Sequence, residues 1–182
     1  MKTKDITLMA LLLAVLIVCS QLSIPLQPVP ITLQTFAVLL IGMVLPPKAA
    51  LMVTGAYAVI GVLGLPVFAG YSGGFASVVK PPFGFVLGFI LAAWAIATYL
   101  QKTHPNFTNY LIAGLIGSVI IYAIGVPYMG LILNQVMGLG KSVTEILQMG
   151  MIPFLLGDAI KVVLAASIAL ALQKPLRRFR SA

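Results

Sequence analysis

The stretch PFLLGDAIKVVLAASIALAL, residues 153–172, has the length and apolarity of a membrane-spanning helix, yet it carries Asp158 and Lys161 near one end. A charge at the bilayer centre costs about 2.5–3.5 kcal/mol on insertion scales. A helix with only apolar duties would avoid both residues. A spacing of three puts the two side chains on one helix face, where they can pair while turned toward a bundle interior. If the helix starts outside the membrane near Met151, Asp158 lies about 9–10 Å below that start and Lys161 about 15 Å below. As pure packing, the pair would lock neighbouring helices, and buried ion pairs rarely repay their desolvation. A small polar solute entering from outside is the more economical user of such a pair.

The rest of the chain supplies the surroundings. Of 182 residues, 61% are hydrophobic and 8% charged, with a mean hydropathy of +1.14. A soluble domain carries about 25% charged residues to cover its surface, so the solvent here is mostly lipid. Apolar stretches of roughly spanning length recur at 6–25, 31–46, 48–65, 83–101, 109–127 and 152–173. The expected fold is an all-α polytopic membrane protein with six transmembrane helices, forming one domain over residues 1–182 in the lipid bilayer. The first stretch, ITLMALLLAVLIVCSQLSI, is long enough to span and is not followed by an Ala-x-Ala cleavage site, which favours a retained helix over a signal peptide. Cys19 lies inside it, without a second cysteine to bridge to, and reads as a small core residue.

The net charge of +8 would suggest nucleic acid in a soluble protein. Here the basic residues stand mainly at helix ends, where membrane orientation explains them and no nucleic-acid partner is needed. With the N-terminus cytoplasmic, Lys2, Lys4, Lys48, Lys102, Lys174, Arg177, Arg178 and Arg180 fall inside, and Lys80 and Lys141 outside. Both termini are then cytoplasmic. The outer connections are PLQPVP, the stretch from Pro66 to Pro82, and a longer one from about Tyr128 to Met151. Long outer loops over brief inner ones imply an outward-facing ligand pocket that loops can cover.

Candidate partners for the charged pair are few. Gln34 and Thr35, in PITLQTF, open the second helix at a similar depth. Tyr71, Ser72, Gly73 and Gly74 lie in the long outer loop, where glycines would let backbone approach a ligand closely. Lys80, just before the fourth helix, could attract an anionic group. Each has a plainer use: Gln34 as a satisfied helix-end residue, the glycines as turn formers, Lys80 as an interfacial snorkeller. Tyr128 and Asn134 are further candidates whose depth the sequence does not fix. Ala10 and Ala14 make a small-xxx-small step on the first helix that permits close helix contact, and Gly84 and Gly88 repeat the step for internal packing. The sequence contains no GxxxxGK[ST] phosphate loop, no HExxH and no Cys/His cluster, so neither ATP hydrolysis nor a catalytic metal is expected. His104 sits in an inner loop and reads as solvated. Asp5 and Glu145 fall in different compartments, which leaves Asp158 without a second carboxylate for acid–base work.

PVPITLQTFAVLLIGMVL, GLPVFAGYSGGF and PFLLGDAIK, in this order and spacing, resemble the biotin-specific membrane component of energy-coupling-factor (ECF) transporters, the BioY family. The likeness runs from about residue 6 to residue 172. It implies a substrate-binding component in the cytoplasmic membrane of a prokaryote, capturing biotin from outside. By that resemblance Asp158 and Lys161 belong to the binding site, and Ala10 and Ala14 contact the transmembrane coupling subunit. Energy would come from two separate ATPase subunits, with no cofactor beyond the transported biotin. The chain departs from the family's pattern at KPPFGF, residues 80–85, where a motif such as G-P-T-G-G-Y is usual.

Biotin's chemistry suits such a site. Asp158 can accept from a ureido N–H, while Lys161 can donate to the ureido oxygen or hold Asp158 ionised. Phe36, Phe68, Phe75 and Tyr71 could wall the bicycle, and Lys80 could meet the carboxylate near the mouth. The reverse pose, with valerate on Lys161, is also allowed. A different class, a self-sufficient secondary carrier for biotin or a related vitamin, would couple through Asp158. It is disfavoured by the lack of an inverted repeat. An intramembrane enzyme would need a second carboxylate, a nucleophile–base pair or a metal cluster.

Overall fold

The computed structural model describes residues 3–181, with side chains as far as Gln173. Lys2 and the side chains of Lys174, Arg177, Arg178 and Arg180, counted above on the inner side, lie outside the described residues. The chain is helical in seven main segments: α1 (Thr3–Gln21), α2 (Gln34–Val44), α3 (Pro47–Val62), α4 (Phe83–Gln101), α5 (Phe107–Leu131), α6 (Val143–Gly150) and α7 (Leu155–Ser181). Among the described residues, four helical stretches are long and apolar enough to cross a membrane: Thr3–Gln21, Phe83–Gln101, Phe107–Val136 and Val143–Gln173. α2 and α3 are shorter.

Local chemistry explains most boundaries. The connection after α1 folds back as a two-stranded antiparallel pair, β1 (Ser23–Ile24) with β2 (Ile31–Thr32), Ser23 opposite Thr32. That pairing holds Ile31 and Thr32 extended, so α2 begins at Gln34 rather than at 31. Pro46 and Pro47 then divide α2 from α3. Pro46 is extended, and Pro47 sits at the helix start, where a missing N–H costs nothing. α5 is capped by Asn106, whose side chain accepts from the Asn109 N–H at 2.8 Å.

Two expectations from hydropathy change at the end of α5. The fifth stretch was expected to stop at Pro127. The helix instead runs through it to Leu131 and continues as a wider turn over Ile132–Val136. Proline removes a donor and leaves one upstream carbonyl without its helical bond, which a packed apolar helix tolerates. Next, the connection expected from Tyr128 to Met151 is largely helical. It contains α6, which opens on a capping box in which Ser142 and Glu145 bond each other's backbone and side chain. α6 buries Ile146 and Gly150 against the end of α5, beside Met129 and Leu133. Eight residues are too short to cross a membrane by themselves.

α2 is the centre of the packing. Eight of its eleven residues are buried, Gln34 among them, as fits a helix that is apolar all round. Leu39, Leu40 and Met43 pack with Ile96 of α4, Tyr110 and Ala113 of α5, and Val162, Ala165 and Ala166 of α7. Val38 and Ile41 join Leu12 and Leu16 of α1, Tyr57 of α3 and Phe89 of α4. Gly84 and Gly88 serve the close packing expected of them. A Cβ at Gly88 would lie 3.0 Å from Ile121 Cα, and one at Gly84 2.3 Å from Tyr128 Cβ. α4 and α5 thus approach almost backbone to backbone.

Candidate functional site

Asp158 stands in the first turn of α7. Lys161 Nζ donates to Asp158 Oδ1 at 2.7 Å, and the Tyr122 hydroxyl of α5 donates to Asp158 Oδ2. Asp158 is 6% exposed and Lys161 7%. Each carboxylate oxygen keeps one acceptor position, and the ammonium keeps two N–H donors. The cluster therefore presents acceptors beside donors. That matches a ligand group carrying N–H and C=O side by side, such as a urea or an amide.

These groups open onto a cavity of about 280 Å³. Of the residues singled out from the sequence, Gln34, Thr35, Phe68, Ser72, Lys80, Asp158 and Lys161 line it. Tyr71, Gly73 and Gly74 do not. Tyr71 is 74% exposed, as is Phe75 at 77%. Gly73 is required by its own loop, since a Cβ there would lie 2.2 Å from the Leu65 carbonyl oxygen. Gly74 is required for its φ of +88°. Phe36 packs into the hydrophobic core instead. The aromatic walls are Phe68 with Phe83, Phe85 and Phe89 of α4, and Phe154 just before α7. Tyr128 spends its hydroxyl on the Val78 carbonyl. Asn134 holds the Lys141 backbone through paired bonds at 2.6 and 2.8 Å. Among the described residues, no three of His, Cys, Asp and Glu cluster as metal ligands.

A second polar network joins the cavity to the loop above it. Thr32 Oγ1 donates to Gln34 Oε1 at 3.0 Å, and Gln34 Nε2 donates to the Tyr57 hydroxyl at 2.6 Å. That hydroxyl donates to the Val67 carbonyl at 3.0 Å, and Ser20 Oγ reaches the same carbonyl at 2.6 Å. Gln34 is thus a satisfied helix-end residue and a cavity residue at once. Gln21, the last residue of α1, grips the loop from its edge. Its Oε1 accepts from the Tyr71 N–H at 2.9 Å and its Nε2 donates to the Phe68 carbonyl at 3.2 Å.

Sequence reasoning missed Tyr122, Tyr57, Ser20, Gln21 and Ser77. A signal for Tyr122 was available. It lies five residues before Pro127, about 7–8 Å along the helix, which the expected topology puts close to the depth assigned to Asp158.

The sequence profile of the BioY family matches residues 1–178. The chain belongs to the BioY family. The biotin transporter BioY of Thermotoga maritima is 39% identical over 161 residues, covering 88% of this chain and 90% of that protein. The probable biotin transporter BioY of Pyrococcus horikoshii is 37% identical over 173 residues, covering 95% of this chain and 98% of that one. The crystal structure of the S-component for biotin from an ECF-type ABC transporter matches with a TM-score of 0.81 at 28% identity, over 96% of this chain and 95% of that one. In this BioY-family chain Ala10 and Ala14 lie exposed on α1, in line with exposed Ile6 and Val18 at the same spacing of four. Leu12, Leu16 and Cys19 face the core.

Proposed function

We propose that this chain binds biotin at the outer face of a prokaryote's cytoplasmic membrane and serves as the substrate-capture subunit of an ATP-driven ECF-type transporter. The observation that carries the reading is the buried Asp158–Lys161–Tyr122 cluster at an apolar, aromatic-walled cavity. It offers paired donors and acceptors to a ureido ring, with phenylalanines for the fused rings. The names of the BioY relatives and of the structural neighbour point to the same ligand. Asp158 accepts a ureido N–H, Lys161 donates to the ureido oxygen, and Lys80 receives the carboxylate.

In this reading residues 1–182 act as one transmembrane unit. α1 to α5 and α7 make six crossings, with both termini cytoplasmic and α6 lying at the outer surface. The lysine and arginine distribution supports that orientation, as does the lining of the cavity by Val29, Ser72 and Lys80 from the two outer connections. The Ala10–Ala14 step offers a smooth ridge to a transmembrane coupling subunit, and two ATPase subunits supply the energy.

The test is equilibrium biotin binding to the purified chain in detergent, alongside Asp158→Asn. Tight binding is expected, weakened roughly 100-fold or more by the substitution, as for truncating one partner of a buried charge pair. A folded sample that does not bind biotin would sink the proposal.

A further inference from the structure

Among the described residues, Ser77 Oγ is the one buried side-chain nitrogen or oxygen without a hydrogen-bond partner. Ser77 is 4% exposed and lines the cavity. Thr32, Gln34, Asp158 and Lys161, the other buried polar residues of the lining, are all bonded to protein. A buried hydroxyl without a partner is a standing cost to the fold, and such groups occur where a ligand supplies what the protein withholds.

The surrounding chain holds Ser77 firmly in place. It ends a single helical turn, Phe75–Ser77, whose preceding residue Gly74 donates its N–H to the Gly61 carbonyl of α3 at 2.8 Å. The following residue, Val78, receives the Tyr128 hydroxyl of α5 at its carbonyl. The turn is thus pinned from two helices, which keeps Ser77 in the lining of the cavity. Three residues on, Lys80 also lines the cavity, and its N–H donates to the Ser77 carbonyl at 3.1 Å. Its ammonium has no ion-pair or hydrogen-bond partner among the described residues. A hydroxyl and an ammonium lining one cavity, with no carboxylate bonded to either, are donors open to an anionic acceptor.

From this geometry we infer that Ser77 is a ligand-binding residue: its hydroxyl donates to the carboxylate of the bound acid, beside Lys80. The inference rests on the biotin reading above. It assigns two parts of the lining different tasks. Asp158 and Lys161 read the neutral ureido group, and Ser77 with Lys80 reads whether the tail is an ionised acid. Lys80 supplies charge from an exposed, flexible stem. Ser77 supplies direction from a fixed turn, and so makes the site prefer the free acid to its ester.

The experiment titrates wild type and Ser77→Ala with biotin and with biotin methyl ester, and records the melting temperature of each protein without ligand. Ser77→Ala is expected to weaken biotin about tenfold, and the ester by less than about twofold, as for one hydrogen bond to a charged group. The ligand-free melting temperature should hold or rise, because an unsatisfied group has been removed. A structural role would lower that temperature and weaken both ligands alike. Either that result or unchanged biotin affinity overturns the assignment of Ser77 while leaving the biotin reading intact. Failure of wild type to bind biotin at all overturns both.

Discussion

Two ion pairs in this chain are of nearly equal length and differ in what surrounds them. Lys141 and Glu145 meet at 2.8 Å with side chains 30% and 42% exposed, whereas Lys161 and Asp158 meet at 2.7 Å with both 9% exposed. The outer pair belongs to a helix cap. Glu145 bonds the Ser142 hydroxyl and N–H while Lys141 stands beside it. Exposed pairs of this kind contribute little, and salt screens them. The inner pair cannot be explained by stability, because desolvating two charges costs as much as their attraction returns. Surroundings, not distance, separate the two pairs.

The comparison is broken most directly by removing the inner pair in two ways. Lys161→Met alone strands a buried carboxylate and should destabilise the protein by about 3–5 kcal/mol, seen as a large fall in melting temperature. Asp158→Leu combined with Lys161→Met should restore that temperature to the wild-type value or above, while biotin binding stays absent. Recovery of stability together with binding would show that the pair only locks helices. A smaller effect is expected from Tyr122→Phe. It removes one charge-assisted hydrogen bond, worth about 1.5–3 kcal/mol, and should weaken biotin roughly tenfold in the same binding assay without dispersing the Asp158–Lys161 pair.

The smallest effect belongs to the outer pair. The Glu145 carboxyl is held down from 4.5 to about 2, chiefly by the Lys141 ammonium and then by the Ser142 backbone and hydroxyl. An acid depressed in the folded state stabilises it above the unfolded pKa and loses that contribution as pH falls through the folded one. The difference in melting temperature between wild type and Glu145→Gln should therefore be small at neutral pH. It should close as pH falls from 4.5 toward about 2. A difference that persists at the acid limit would mean the carboxylate is not what holds the cap.

Much of this molecule is legible in composition and spacing because lipid enforces simple rules. Runs of apolar residues mark α1, α4, α5 and α7, and two charges in such a run single out Asp158 and Lys161. The glycine steps at Gly84 and Gly88 were legible for the same reason, since close helix packing needs small residues at intervals of four. Tyr57 and Ser77 were not, because one hydroxyl barely moves a hydropathy average and its importance lies in what stands across from it. Gly73 and Tyr71 misled in the opposite sense. A glycine-rich outer loop suggests a ligand, but a Cβ at Gly73 would strike the loop's own Leu65 carbonyl, and the Tyr71 N–H is spent on Gln21.

That last bond gives α1 a mechanical meaning. The helix is a rigid rod whose exposed Ala10–Ala14 ridge and terminal Gln21 are separated by about 10–17 Å along its axis. Gln21 grips the roof over the cavity at Phe68 and Tyr71, and Ser20 holds the same loop at Val67. A partner seated on the ridge would hold the handle of a latch. Any displacement of α1 is therefore carried to that roof through two side chains, Gln21 and Ser20.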